Sequence, residues 1–360
     1  MKRKLSLSFL PVLFIFAGTF GQPLHLPRTA SPAASVSQTI GISNVVVNYS
    51  RPSVKSRVIW GELVPYGWNA QGFGLGNPAP WRAGANENTT ITFAHDAIIE
   101  GKAVPAGTYG LFYVINKDNT GEVILSKDHV SWGSFFYDPK LDQLRVPITV
   151  KDHPFTEMLT YEFTNLDKNT AVLGLNWEKK HFPLKISFDV DKIVMNNIKA
   201  ELRGPAGFSP AGFATAAGYS LTEKTDLQQG LTWIDAAIAT SPTFTNKSTK
   251  AGFLREMGKQ SEADKLMKEA VQDASNAELN TYGYLLLQQN KMDDAIEVFL
   301  LNTKRHPDDP NVWDSLGEGY YIKGDKKNAA KYFKKSLAMN PTEGTRLNSE
   351  KYLKLMGEMK

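Results

Sequence analysis

The run Trp313-Asp314-Ser315-Leu316-Gly317-Glu318-Gly319-Tyr320, continued by Ala329-Ala330-Lys331-Tyr332-Phe333 and closed by Pro341, decides the fold of the C-terminal part of the chain. Apolar residues recur at helical spacing in both pieces, which predicts two amphipathic helices joined by a short turn. Small residues at Gly317 and Ala329 suit the line where the two helices come closest, and large ones fill the space between successive hairpins. The same order appears 34 residues earlier as Leu279, Tyr282, Gly283, Leu286, Ala295, Phe299 and Pro307. A third copy reads Lys250, Ala251, Leu254, Ala263, Met267 and Ala270, and a weaker fourth reads Phe213, Ala216, Ala217, Ser220, Trp233 and Ala236. The small-residue column Ala217, Ala251, Gly283, Gly317 therefore steps by 34, 32 and 34. One hairpin cannot bury its own face, so several must stack and a last helix must cap them. Thr345 to Met359 has the length and amphipathicity for that cap.

This spacing and these residues resemble the tetratricopeptide repeat. The resemblance implies a helical solenoid that holds a protein or peptide partner in its concave groove. It assigns the groove to positions two, five, nine and twelve of each copy. Those are Arg255 in the second copy, Asn280 and Tyr284 in the third, and Asn311, Asp314, Glu318 and Tyr321 in the fourth. Two aromatics suit anchoring, the amides suit an extended backbone, and the two acids favour a basic or N-terminal segment. A row of lysines, which would imply a carboxylate-terminated partner, is not present. The competing reading is a solvated helix face with no partner.

Toward the N-terminus the period changes. Gly204 to Pro210 is rich in helix breakers, and Asp191 to Leu202 suits an amphipathic helix with Asp191 as a possible N-cap. Before it the chain reads as short strands: Val45–Tyr49, Thr89–Phe93, Ala97–Glu100, Thr108–Ile115, Glu122–Ser126, Gln143–Val150, Met158–Thr164, Ala171–Trp177 and Phe182–Val190. Pro147 places its strand at an edge or a bulge. The predicted architecture is an antiparallel β-sandwich, with a barrel as the other reading, followed by an all-α repeat solenoid. The expected divisions are a signal peptide over 1–21, a linker over 22–34, the β domain over 35–190, a linker helix and hinge over 191–210, and the repeats with their capping helix over 211–360.

Several phrases in the β region are distinctive: Tyr49-Ser50-Arg51-Pro52-Ser53-Val54-Lys55, Leu63-Val64-Pro65-Tyr66-Gly67, Trp81-Arg82-Ala83-Gly84-Ala85-Asn86-Glu87, Pro105-Ala106-Gly107-Thr108-Tyr109 and Trp132-Gly133. Together they resemble the domain-of-unknown-function family 2911, carried mainly by exported Bacteroidota proteins, some with tetratricopeptide repeats behind it. The resemblance implies export and brings no catalytic residues. One departure is the insertion Asn69 to Pro78, where a short link is expected.

Within these phrases Trp81, Arg82, Asn86 and Glu87 are the candidate ligand-binding residues. An aromatic face, a fixed cation, an amide and a carboxylate in one loop can hold a sugar or a peptide terminus. The structural alternative pairs Arg82 with Glu87, closes the turn with Asn86, plugs the core with Trp81 and buries Trp132. Glu87 with Asp138 as a glycosidase pair requires carboxyl groups about 5–9 Å apart. Gly72-x-Gly74-x-Gly76 is not a phosphate loop, because Asn77-Pro78 follows it and no helix opens there. Six histidines occur without His-Glu-x-x-His or His-x-His spacing, and no Gly-x-Ser-x-Gly elbow is present. No metal or cofactor is expected.

At the start, Lys2-Arg3-Lys4 precedes an apolar run from Phe9 to Phe16 and the small residues Ala17-Gly18-Thr19, with Gly21 before Gln22. This predicts a secretory signal peptide cleaved before Gln22, and the run is too short to span a bilayer. The formal charge of +4 includes those three cations, so the mature chain is near neutral and does not suit nucleic acid. There is no cysteine, which excludes disulfides, thiolate metal sites and a lipidated N-terminal cysteine. The expected protein is periplasmic or secreted and binds a protein partner through its repeats. The alternative is a carbohydrate- or peptidoglycan-binding or hydrolytic protein acting through the β domain.

Overall fold

The computed structural model describes residues 30–70 and 72–360. The expected signal peptide, its cleavage before Gln22 and most of the expected linker lie outside the described residues. The chain divides between Val190 and Asp191 into two compact units.

The first unit holds β1 (Ala33–Ile40), β2 (Ser43–Ser50), β3 (Asn69–Ala70), β4 (Pro78–Ala79), β5 (Thr90–Phe93), β6 (Ala97–Ile99), β7 (Lys102–Val104), β8 (Gly107–Ile115), β9 (Thr120–Ser126), β10 (Asp142–Thr149), β11 (Lys151–Thr164) and β12 (Thr170–Ser187). All pairings between these strands are antiparallel. One sheet runs β1-β2-β5-β8-β9-β10, a second runs β11-β12-β6-β7, and β3 pairs with β4. In β2 the alternation is plain: Val45, Val47 and Tyr49 are buried while Asn44 and Asn48 are exposed. Aromatic pairs join the two larger sheets. Tyr49 on β2 meets Tyr161 on β11 edge-on at 4.8 Å, and Tyr113 on β8 meets Phe182 on β12 at 5.5 Å. The central strand β8 is buried on both faces from Tyr109 to Ile115. Phe112 and Val114 are covered by Ala79, Tyr137 and the half-buried Trp68. Pro147 lies in β10, the last strand of its sheet, where a missing N–H costs no ladder bond.

Among the differences from the strand series read in the sequence, two have a plain physical cause. β1 begins at Ala33, inside the segment expected to be linker. Half of its residues, Ala-Ala-Ser-Val-Ser-Gln-Thr-Ile, are polar, as suits an edge strand with one partner. The two strands expected at Ala171–Trp177 and Phe182–Val190 are one strand, β12. Glu178 takes φ +54° there and the pairing with β11 shifts register nearby, so the chain bulges within a continuous ladder instead of turning.

The second unit is helical: α1 (Val190–Glu201), α2 (Pro210–Thr222), α3 (Leu227–Thr240), α4 (Phe244–Glu256), α5 (Gln260–Ala270), α6 (Asn276–Gln288), α7 (Met292–Arg305), α8 (Pro310–Lys323), α9 (Lys326–Leu337) and α10 (Glu343–Leu355). Starts are chemically marked. Ser209 and Asp309 cap helices that open on proline, Thr243 and Asp325 accept from the N3 amide, and Ser275 forms a capping box with Glu278. The packing column is fully buried: Ala251 with Ala263 and Met267, Gly283 with Ala295 and Phe299, Gly317 with Ala329 and Phe333. A Cβ at Gly283 would stand 2.4 Å from the Phe299 ring, and one at Gly317 2.9 Å from the Phe333 ring. Each glycine is therefore the seat of an aromatic ring.

In the first copy the register read from the sequence is corrected. Ala236 is exposed, while Gly230 and Ile234 are buried. A Cβ at Gly230 would meet Ser220 Oγ at 2.3 Å and the Phe253 ring at 2.5 Å, so Gly230 and Ile234 hold the places of Ala263 and Met267. The cause is the longer turn Glu223–Asp226 between α2 and α3, compared with Met257–Lys259 in the next hairpin. The segment expected to be a linker helix, α1, is packed. Met195 joins Ala216, Ala217 and Trp233 in one cluster, and Tyr219 donates to Asp191 Oδ1 at 2.8 Å.

The 32-residue step in the small column falls between the second and third hairpins. There α5 spans 11 residues, compared with 14 in α3 and α7. The guanidinium of Arg305 on α7 reaches back to bind Val271 O at 3.0 Å and Gln272 O at 2.9 Å, satisfying carbonyls beyond the short helix. A cavity of about 470 Å³ opens at this joint, floored by Met267, Tyr282, Leu286 and Val298 and edged by charges including Asp264 and Lys291.

Candidate functional site

The first helices of the repeats, α4, α6 and α8, carry the residues the sequence assigns to a groove. Most are engaged within the fold. Asp314 is buried and accepts hydrogen bonds from Ser349 Oγ and, at 2.8 Å, from Asn348 Nδ2, both on α10. Glu318 accepts from Tyr352 at 2.8 Å, Asn348 at 3.2 Å and Tyr284 at 3.0 Å. Asn311 Oδ1 accepts from Thr345 at 3.3 Å, and the Tyr321 ring lies 4.7 Å from that of Tyr352. Arg255 lies 4.0 Å from Asp264 and its Nε is buried without a partner, as is Oδ1 of Asn280. Asn311, Asp314, Glu318 and Tyr321 thus do not form an open row. The positional rule takes no account of α10, which lies where the first helix of a further repeat would lie.

Two acids at this joint are held by neutral donors alone. Burial raises the Asp314 carboxyl above its ordinary range, with the neighbouring Glu318 charge acting in the same direction. The folded state then holds this proton more tightly than the unfolded chain does. Its contribution favours folding below the ordinary carboxyl range and is lost as pH rises through the raised value. Asp314→Asn is expected to gain stability relative to the parent protein as pH rises above the ordinary carboxyl range, read as the difference in urea midpoint. A difference that stays constant with pH would remove the titration from Asp314.

The face left open lies further toward the N-terminus. Between α4 and α6 a shallow depression of about 300 Å³ is lined by Thr245, Ser248, Thr249, Ala277, Glu278 and Thr281 over the edge of Phe244. Thr245 donates to Glu278 Oε1 at 3.1 Å across it. These hydroxyls carry no sequence signal, since Ser and Thr on a helix face read as ordinary solvated positions.

In the β unit a concave cavity of about 410 Å³ gathers residues from distant parts of the chain: Arg57, Trp81, Arg82, Asn86, Ser134 and Trp177 among them. The Trp81 backbone exchanges two hydrogen bonds with Tyr113 of β8, at 2.8 and 2.9 Å, which fixes the start of the loop. Its indole stacks on Trp177 at 5.8 Å and 15°, with Trp60 edge-on at 5.6 Å. Arg82 donates from Nη1 to Asn86 O at 2.6 Å, closing the loop, and its guanidinium lies 5.3 Å over the Phe135 ring. Burial draws the Arg82 pKa down from its ordinary value. The loop is pinned from below, because Ala83 O accepts from Tyr161 OH and from Thr89 Oγ1, each at 3.1 Å. Ala83 takes φ +53° and Asn86 φ +62° to make the bend.

Trp81, Arg82 and Asn86 are brought together, and Glu87 is not, since it faces a separate shallow depression beside Asn48 and Asn88. The expected partner of Arg82 was Glu87; the contact made is to the Asn86 carbonyl. Asp138 caps a short 3-10 turn by accepting from Lys140 N at 3.0 Å. Among the described residues no carboxylate lines the cavity, and a glycosidase pair of Glu87 and Asp138 is not assembled there. Trp132, expected in the core, is 51% exposed. Among the described residues no group of three potential metal ligands occurs, and no helix is long and apolar enough to cross a membrane.

Comparison with known proteins places these geometries. Residues 31–186 match the family described as "Protein of unknown function (DUF2911)", and residues 310–343 match a tetratricopeptide repeat. The β unit is a DUF2911 domain. Solved structures with similarity include YrrB, described as a TPR protein with an unusual peptide-binding site, at 13% identity, covering 44% of this chain and 83% of YrrB with a TM-score of 0.30. PilF of Pseudomonas aeruginosa matches at 19% identity over 43% of this chain and 72% of its own, with a TM-score of 0.31. MamA of Desulfovibrio magneticus RS-1 matches at 17% identity over 42% and 86%, with a TM-score of 0.29. No curated protein matches the sequence. Within the DUF2911 domain the segment Asn69 to Pro78 carries β3 and opens β4. Its Leu75 N donates to Phe135 O at 3.1 Å while Phe73 meets Phe135 edge-on, so the segment lies on the loop that also backs Arg82. The cavity residues not found by sequence reasoning, Arg57 and Trp177, lie outside the phrase that announced it.

Proposed function

We propose that this chain is an exported scaffold that captures a protein partner through its tetratricopeptide repeats, with the DUF2911 domain as a second binding module. The observation that carries this reading is the open face between α4 and α6. Its hydroxyls suit the carbonyl and amide groups of an extended segment, and Glu278 suits a basic side chain or an amino terminus. The face beyond it is covered, since α10 occupies α8. Export rests on the Lys2-Arg3-Lys4 start and the apolar run that follows.

The test is recovery of partners from an envelope extract with the full chain and with Ser248→Arg/Thr281→Arg. These half-buried and exposed positions accept a long side chain that fills the groove while the helices stay intact. Loss of the bound partners, with an unchanged helical circular dichroism spectrum, is expected, and the recovered chain should begin at Gln22. An unchanged partner set would move the binding surface elsewhere. Intact Met1 in the cytosolic fraction would end the export reading.

A further inference from the structure

We propose that the DUF2911 cavity binds a small organic carboxylate, held by the guanidinium groups of Arg82 and Arg57 against an indole wall formed by Trp81 and Trp177. The charge balance carries the argument. Among the described residues two cations line the cavity and no carboxylate does. Arg82 is half-buried and its one protein acceptor is the Asn86 carbonyl; its remaining N–H groups take no partner among the described residues. Arg57 spends donors on the backbone carbonyls of Val54, at 3.0 Å, and Ser53, and it too has no carboxylate partner there. A guanidinium drawn out of water without a counter-charge is unfavourable, and a bound anion removes that deficit.

Its fork of N–H groups also matches the two oxygens of a carboxylate. A second, independent feature is Trp177. It is 1% exposed, it lines the cavity, and its Nε1 is buried with no acceptor among the described residues. The size agrees, since small-ligand sites span about 300–1,000 Å³ and this cavity holds about 410 Å³. Pro52, Leu63 and Val64 complete an apolar side that a bare inorganic ion would leave unfilled, so the anion belongs to an organic molecule. The bent Ala83–Asn86 loop is held by Tyr161 and Thr89 from beneath, which preorganises Arg82 before any ligand arrives.

Two sources share this chemistry: a sugar acid and the C-terminus of a peptide. The experiment uses the full chain and two matched pairs of probes, D-glucuronate with D-glucose and N-acetylglycylglycine with its C-terminal amide. Binding is followed by quenching of intrinsic tryptophan fluorescence and checked by calorimetry. One acid is expected to bind at least about tenfold more tightly than its neutral counterpart, the worth of a charge-assisted hydrogen bond. Which pair responds identifies the source. Arg82→Gln should lower that affinity by about tenfold, with partial recovery in Arg82→Lys. Arg57→Gln, at an exposed position, supplies the same test if the Arg82 variants do not fold. The proposal is overturned if neither acid exceeds its neutral partner, if inorganic phosphate binds as well as the better acid, or if the folded variants keep the parental affinity.

Discussion

Replacing Phe299 with alanine lowers the stability of the helical unit by about 3–5 kcal/mol. The side chain is fully buried and reaches three helices at once. It sits on Gly283 of α6, with 2.4 Å between the ring and a Cβ built there, and against Gly319 of α8, with 3.1 Å between them. Tyr284 closes its edge at 5.3 Å. Truncation therefore opens a hole shared by two hairpins. Neither wall can collapse into it, because both walls are helix backbone with no side chain at the contact. The cost sits in the upper range for aromatic truncations for that reason. Urea unfolding followed at the helical circular dichroism band measures it. A cost below about 1 kcal/mol would mean that the ring does not hold the hairpins together and that the glycine column has another explanation.

The second large effect is in the DUF2911 domain. Trp177→Ala is expected to destabilise it by about 3–5 kcal/mol, since the indole is 1% exposed and wedged between Trp81, stacked at 5.8 Å, and Trp60, edge-on at 5.9 Å. Its loss also leaves Trp81, which heads the Arg82 loop, without a stacking surface. Tryptophan fluorescence should shift and the unfolding midpoint should fall together. A shifted spectrum with an unchanged midpoint would show that the indole cluster is not what holds the sheets at this point.

Much of the fold is legible in the sequence because the repeat writes packing directly as residue size. Glycine or alanine at fixed spacing, followed by an aromatic, is the ring-on-backbone contact seen at Gly283 and Gly317. It fails in the first copy, where one extra turn residue moves the column by one place, from Trp233 and Ala236 to Ile234 and Ala237, with Gly230 before them. β1 is obscure because an edge strand needs little apolar surface. The single long β12 is obscure because local propensity does not distinguish a bulge at Glu178 from a turn. The candidate faces divide in the same way. Trp81, Arg82 and Asn86 stand in one phrase and line one cavity, whereas Arg57, in the loop after β2, and Trp177, on β12, reach it only through the tertiary fold. Asp314 and Glu318 satisfy the positional rule for a groove, and the rule cannot see that α10 covers them. Thr245, Ser248 and Thr281 give no signal at all.

The shortened α5 and the hollow beside it change how the repeats share load. In a linear stack each hairpin is held only by its neighbours, so cooperativity passes from one end to the other through each interface in turn. Three of the joints are filled by rings and small residues. At the fourth, between the second and third hairpins, the Phe244–Tyr282 contact and the buried cluster around Met267 are flanked by an open hollow, and the Arg305 guanidinium grips carbonyls beside it. Hydrogen bonds of this kind tolerate small rotations that interlocked rings do not. This joint is therefore expected to be a more compliant coupling than the other three. The open face of α4 and α6 straddles that coupling, so an occupant bound across it would act as a splint.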